Sequence, residues 1–405
     1  MTPQYPQLTW GELKQLILES YSSEVLCELA EVLKDNRYER IATVPASKDL
    51  LSGLPREPFL LLNNLRGSKY RLFTMSAFPA LHRFILDRQN PDLGYLFRVL
   101  FLNERTTRLK LRQRLPEALI DRLVETKALM EDDEGYRFTL SFVPFKDLLI
   151  ARDPFHVYVG DPSRGHQDRR VWLGSDSILF AHFLSDYLSN QRFQSAAEIG
   201  VGTGIQILTV APHADRVTGI DINKRAVAFS RLNAQINRAH KAEFFHSNLF
   251  ENLHRKFDLI LANPWYCDLK SGGLEEIPGI LSGLDQYLTQ QGLLIMLTSS
   301  FIKAGQDTVL ERLKAFVRER QHYDLEAQVI GYNINRGLYR EYKRHGIFCA
   351  LDYLVTLRKG GTGKIQRREA SLLRRSRDFS YIWAAKRLES LKLWGRGNRT
   401  ASEAS

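Results

Sequence analysis

Three clusters in this chain have residue types and spacings suited to chemistry. The first is Glu198-Ile-Gly200-Val-Gly202-Thr-Gly204, between a strand-like run and an apolar helical run, Ile205 to Val210. Alternating glycines let the backbone turn tightly and approach a ligand closely. N–H groups at the start of the next helix can then meet a carboxylate. The second is Asp221, which ends the strand-like Val217-Thr-Gly-Ile220, 17 residues past Gly204. A carboxylate there can accept both hydroxyls of a ribose; taken alone, it could cap a helix beginning at Asn223. The third is Phe257-Asp-Leu-Ile-Leu-Ala-Asn263-Pro264-Trp265-Tyr266, a buried-type strand running into a polar-Pro-aromatic-aromatic loop. The plain alternative for it is a simple Asn-Pro turn.

The glycine spacing separates two nucleoside cofactors. A dinucleotide loop has its third glycine three residues after the second, where it packs helix on strand. Here Gly204 follows Gly202 by two, and an acid, Glu198, stands just ahead of the first glycine. Both features favour S-adenosylmethionine (SAM) over a nicotinamide; a purely structural turn is the remaining reading.

Together, Glu198–Gly204, Asp221 and Asn263–Tyr266 resemble the class I SAM-dependent methyltransferases that modify planar nitrogens. Their signature is an Asn/Asp-Pro-Pro-aromatic loop; Trp265 stands where the second proline is usual, which leaves the loop less rigid. More narrowly, the chain is similar to the small-domain methyltransferases, which include ribosomal-RNA guanine, tRNA adenine and release-factor glutamine enzymes. The resemblance covers about 155–358. It implies that Gly200, Gly202 and Gly204 cradle the methionine part of SAM and that Glu198 orders the loop or meets the amino group. Asp221 would hold the ribose, and Asn248 would stand near the adenine, where its amide oxygen can accept from the adenine amine. Gly174-Ser175-Asp176-Ser177 matches a segment that closes over the cofactor, which adds Asp176 and Ser177 to the expected cofactor set.

The chemistry expected of the loop follows from the acceptor. A conjugated amine is a poor nucleophile because its lone pair is delocalised. The Asn263 side-chain oxygen and the Pro264 carbonyl can accept its two N–H bonds and aim the lone pair at a sulfonium methyl. Tyr266, with Trp265, would stack on the flat substrate. SAM carries its own leaving group, so no metal is required. His246 and His254 read as surface or satisfied polar groups. Cys267 has no adjacent base and reads as packing.

The elements that must position these residues form an alternating pattern. Strand-like and helical segments alternate over 151–358, predicting an α/β, doubly wound Rossmann-like sheet. Strands are expected at Phe193–Ile199, Val217–Ile220, Phe257–Leu261 and Leu293–Leu297, the last preceded by a Gln290-Gln-Gly292 turn, and a helix at Lys224–Asn237. Ile347–Leu351 and Tyr353–Leu357 are expected to close as a hairpin. Residues 1–150 read as a mostly helical, winged-helix-like domain: a helix from Pro116 to Lys127, an acidic turn at Glu131–Gly135 and a strand at Tyr136–Leu140. That helix mixes Glu117, Asp121 and Glu125 with Arg122 and Lys127, so it is no basic reading face, and a scaffold role is the plainer reading. Lys359-Gly-Gly-Thr-Gly reads as a flexible linker, opening a basic tail over 359–405 with an amphipathic helix from Ala370 to Leu393.

Composition narrows the function classes. The 405 residues are 44% apolar and 25% charged, a globular balance with no apolar run long enough to span a membrane and no secretory leader pattern. Three cysteines without ligand spacing exclude a disulfide scaffold and fit a reducing, cytoplasmic setting. Of the formal charge of +11, residues 358–405 hold +9: thirteen Lys and Arg against four acids. Such an end suggests a polyanionic partner, although solubility alone can explain it. The leading expectation is a SAM-dependent N-methyltransferase acting on nucleic acid, RNA ahead of DNA. The alternatives are methylation of protein glutamine or of a small molecule, and a nucleic-acid-binding scaffold without catalysis.

Overall fold

The computed structural model describes residues 11–12, 15–16, 20–42, 83, 86–154, 170–264, 276–333 and 344–369. It is a mixed α/β protein of two compact units: Met1–Asn263 with Gly279–Leu293, and Pro264–Pro278 with Leu294–Ser405.

In the first unit, helices α1 (Ser20–Asp35), α2 (Pro91–Leu96), α3 (Arg108–Arg112) and α4 (Glu117–Glu125) precede two antiparallel hairpins. These are β1 (Leu129–Asp132) with β2 (Gly135–Phe138), and β3 (Ser141–Phe145) with β4 (Leu148–Arg152). Pro116 caps α4, which buries Leu119, Ile120 and Leu123. Glu117 accepts from Arg108 and Arg112, and hydrogen bonds from Arg112 and then Arg108 hold its carboxyl down at about 2. Arg108 and Arg112, on α3, are therefore matched by an acid on α4.

The glycine-loop half of the unit is built on parallel strands. After α5 (Ser175–Tyr187) come β5 (Phe193–Ile199), α6 (Ile205–Val210), β6 (Ala214–Asp221), α7 (Lys224–Ile236), β7 (Ala242–His246) and β8 (Phe257–Ala262). Their order is β8-β5-β6-β7, all parallel. Strand β5 is thus the switch point, with the chain leaving to β6 on one side and returning as β8 on the other. Ligand crevices open at such a point, beyond the carboxyl ends of the strands. The strands read as apolar runs because the sheet is covered: Ala196, Ala197, Leu259, Ile260 and Leu261 are all fully buried.

Helix α8 (Glu276–Tyr287) runs directly into β9 (Leu288–Lys303), so the turn expected at Gln290–Gly292 is strand. Gly292 permits this by close approach: a Cβ there would lie 3.1 Å from the Phe257 carbonyl oxygen.

In the second unit, β10 (Gln306–Asp307) pairs with the end of β9, followed by α9 (Thr308–Glu319), β11 (Tyr323–Asn333), β12 (Ile347–Lys359) and β13 (Ile365–Glu369). The ladder order is β13-β11-β12-β9. The hairpin expected within Ile347–Leu357 is one continuous strand whose antiparallel partner is β11. Asp352 stays in the strand opposite Gly331, and Ser299 Oγ donates to its carboxylate. The expected linker at Gly360–Gly363 is a tight connection pinned by Asp324, which accepts from the Thr362 and Lys364 N–H groups at 2.8 and 2.9 Å. Beyond it β13 runs parallel to β11, and Arg367 Nε donates to the Tyr353 hydroxyl at 3.1 Å. The sheet therefore continues to Glu369. The amphipathic helix expected at Ala370–Leu393 lies outside the described residues. Among those residues no helix is long and apolar enough to cross a membrane.

Candidate active site

The carboxyl ends of β5, β6, β7 and β8 bring Glu198, the glycine loop, Asp221, Asn248 and Asn263 to one edge of the first unit. In register, Ile199 stands between Ile220 and Ala262, so the residues that follow emerge side by side.

The loop is held from within. The Gly200 and Val201 N–H groups both donate to the Ile220 carbonyl at 2.9 Å, Gly202 N–H donates to Asp221 Oδ2 at 3.0 Å, and Gly204 N–H donates to the Val201 carbonyl at 2.7 Å. These four donors are spent inside the protein, so they are not the groups that meet a cofactor carboxylate. Helix α7 holds the loop's carbonyls: Ser230 Oγ donates to Gly202 O at 3.0 Å and Asn233 Nδ2 to Thr203 O at 2.9 Å. The loop itself offers curvature and space. Gly202 sits at φ +54°, and a Cβ on it would meet nothing within 4 Å.

Glu198 is buried. Its Oε2 accepts the Ile207 N–H at 2.9 Å, and its Oε1 has no partner. Burial pushes this carboxyl well above the usual glutamate range, against the smaller pull of the Ile207 N–H. Asp221 uses both oxygens on backbone, accepting from Gly202 and, at 2.8 Å, from Asn223. Burial raises its carboxyl too, and those two N–H groups oppose the shift. The side-chain cap of α7 is Asn223, which accepts from Arg225 N–H at 3.0 Å; Asp221 is left at the strand end.

Asn248 is exposed, and its Nδ2 donates to Glu251 at 3.0 Å, which leaves the amide oxygen to accept. His246 Nε2 lies 3.0 Å from the Ile222 carbonyl, the satisfied-polar reading. Two residues that the sequence reading passed over stand here: Ile222, 39% exposed, and Phe245, 40% exposed. Ile222, left open directly after Asp221, suits the flat face of a purine; Phe245 stands in register with Ile220 on β7. The available signal was an isoleucine directly after the acid that ends β6.

Asn263 follows β8. Its Nδ2 donates to Asp176 Oδ2 at 3.0 Å and to Ser177 Oγ at 3.2 Å. Its Oδ1 is buried without a partner. Asp176 and Ser177 were expected beside the cofactor; the structure brings their side chains to the Asn263 amide. Pro264 is buried, and Trp265 and Tyr266 lie outside the described residues.

These residues fit SAM on three observations. Open space lies beside Gly200 and Gly202. A buried carboxylate oxygen at Glu198 lacks a donor, as an ammonium would supply. Apolar and acceptor groups for a nucleoside stand at the ends of β6 and β7.

The chain is similar to known methyltransferases. Residues 178–325 match the family model described as methyltransferase small domain. A Methanocaldococcus jannaschii protein, named as a candidate protein N5-glutamine methyltransferase, is 34% identical over a 156-residue alignment that covers 34% of this chain and 76% of that protein. Ribosomal RNA small subunit methyltransferase C of Buchnera aphidicola is 29% identical over 187 residues, 45% of this chain; the match spans about half of that relative, 49%. Among solved structures, ribosomal protein L11 methylase of Lactobacillus delbrueckii matches at 18% identity with a TM-score of 0.34, over 46% of this chain and 81% of that one.

Proposed function

The chain belongs to the methyltransferase small domain family and takes SAM as cofactor, and from that premise we propose that it methylates a planar exocyclic amine of a nucleic-acid base, RNA before DNA. The observation that carries the reading is Asn263: an amide at the end of β8 whose N–H side is held inside the protein and whose oxygen is buried without a donor. An amine bearing two N–H bonds is the partner such an oxygen lacks.

When bound, SAM supplies a methyl group on a sulfonium that departs as a neutral thioether. Gly200 and Gly202 leave room for its methionine part, Gly204 seats the loop against Ser230 of α7, Glu198 Oε1 takes its ammonium, and Asp221 takes the ribose hydroxyls. Ile222 and Asn248 receive the adenine. Asn263 Oδ1 and the Pro264 carbonyl accept the two N–H bonds of the acceptor amine. That would turn the nitrogen's lone pair out of conjugation and toward the donor, and positioning of this kind supplies much of a rate enhancement. Tyr266, with Trp265, stacks on the base. The surplus proton on the methylated nitrogen leaves to water.

The basic run from Lys359 to Arg399 supports a polyanionic substrate. A second reading, transfer to a protein glutamine, is favoured by the name of the archaeal relative, since a carboxamide offers the same two N–H bonds. Incubating the full chain with methyl-labelled SAM and separate pools of unmethylated RNA, DNA and cell protein decides between them. Label in RNA supports the proposal. Label in protein alone replaces it with the glutamine reading.

A further inference from the structure

Asp176 and Ser177 open helix α5, and neither is needed there as a cap. Gly174 is the N-cap that starts the helix, without a side-chain cap bond. What the two side chains do is hold one amide, 87 residues away in sequence.

A side-chain amide has two nearly isosteric orientations, and at Asn263 they differ in chemistry. With Nδ2 toward Asp176, the oxygen is left to accept an N–H from the acceptor amine. With the amide flipped, two N–H donors would face another N–H donor, and the oxygen would face a carboxylate. A carboxylate only accepts hydrogen bonds. Asp176 therefore selects the first orientation, and its charge polarises the amide so that the free oxygen is a stronger acceptor. The carboxylate has a place made for it: a Cβ on Gly174 would collide with Asp176 Oδ1.

We propose that Asp176, assisted by Ser177, is a positioning residue for methyl transfer: it fixes the polarity of the Asn263 amide so that the oxygen, not the nitrogen, meets the acceptor. This rests on the reading of Asn263 given above. It also predicts that position 263 tolerates a carboxylate only if position 176 gives one up. Asn263→Asp sets two carboxylates face to face and loses the donor. In the double variant Asp176→Asn/Asn263→Asp, the amide and the carboxylate have exchanged places, so the bond re-forms with its direction reversed and one carboxylate oxygen remains to accept.

The test is a cycle of full-length proteins, with transfer measured to whichever pool the wild-type chain labels, and with SAM affinity and melting temperature measured alongside. Asp176→Asn should lower kcat more than tenfold and leave SAM affinity within about twofold. Gly174→Ala, which displaces the carboxylate without removing it, should also lower kcat. Asn263→Asp should fall further, and the double variant should recover at least tenfold over it, with its melting temperature restored. A double variant no better than Asn263→Asp in transfer or melting overturns the proposal. So does a loss of SAM affinity at Asp176→Asn that matches the loss of transfer, which would make Asp176 a cofactor ligand. Melting and SAM binding need no acceptor, so a wrong substrate class shows itself in the pool that is labelled and not in this cycle.

Discussion

At Glu198, burial and the proposed contact with the SAM ammonium act on one carboxyl in opposite directions. Burial favours the proton, and an ammonium beside the unpartnered Oε1 disfavours it. In the free protein the proton is kept at pH values where the unfolded chain, with a glutamate near ~4.3, has lost it. The folded state then binds more protons than the unfolded one, so this group's contribution to stability falls as pH rises from the ordinary value through the raised one. Binding SAM reverses the shift and releases a proton, so SAM affinity rises with pH over the same window. Calorimetry in buffers of different ionisation enthalpy should read that release, and Glu198→Gln should abolish it and weaken SAM binding at least tenfold. At Asn263 the expectation differs: Asn263→Ala should lower kcat by ~10²–10³, the scale seen when one preorganised transition-state hydrogen bond is removed, with SAM affinity near wild type. Equal losses in both would move Asn263 into the cofactor site. The positions of Glu198, Asp221 and Asn263 at strand ends were legible in the sequence because apolar runs mark where each strand stops. Ile222 was not, since exposure decides its role, and the bond from Asn263 to Asp176 was not, since folding alone joins residues so far apart.

Between elements, helix α7 joins the N-terminal hairpin to the cofactor loop. Asn233 and Asn237, one turn apart, present their amides to the outer edge of β4 as a neighbouring strand would. Asn233 accepts the Ala151 N–H at 2.7 Å and donates to the Ala151 carbonyl at 2.9 Å, and Asn237 does the same for Leu149, both at 2.9 Å. Asn233 alone also reaches Thr203 in the loop. Removing it leaves three buried backbone groups unpaired, against two for Asn237. At ~1–3 kcal/mol for each buried group left unsatisfied, Asn233→Ala should be the more destabilising in thermal melts. It alone should also weaken SAM binding. Equal effects on SAM would show that the hairpin, and not the loop, is what Asn233 supports. Periodicity found α6 and α7 nearly to the residue because short-range pattern sets them. It missed β11, and with it the true partner of β12, because pairing across residues 334–346 leaves no local mark.

For the whole molecule, charge is the dominant asymmetry, and the structure moves its boundary. The sheet takes residues up to Glu369, so a cut at 358 removes an edge strand and the Arg367–Tyr353 bond with it. A chain ending at 369 should melt like the full chain, bind RNA about tenfold more weakly, and lose most of the steep salt dependence of binding; a chain ending at 358 should melt lower. Composition could show that the C-terminal end is basic, but not that its first ten residues are folded, because glycines and arginines there read alike as linker and as edge strand. Asn263 is proposed to present an acceptor oxygen to a planar amine of an RNA base. The most direct test of that role is nucleoside mass spectrometry of unmethylated RNA treated with SAM and either the wild-type chain or Asn263→Ala. A single base methylated on its exocyclic nitrogen by the wild type, and absent with the variant, is the predicted result. A methyl on carbon or on ribose oxygen, or the same yield from Asn263→Ala, would contradict it.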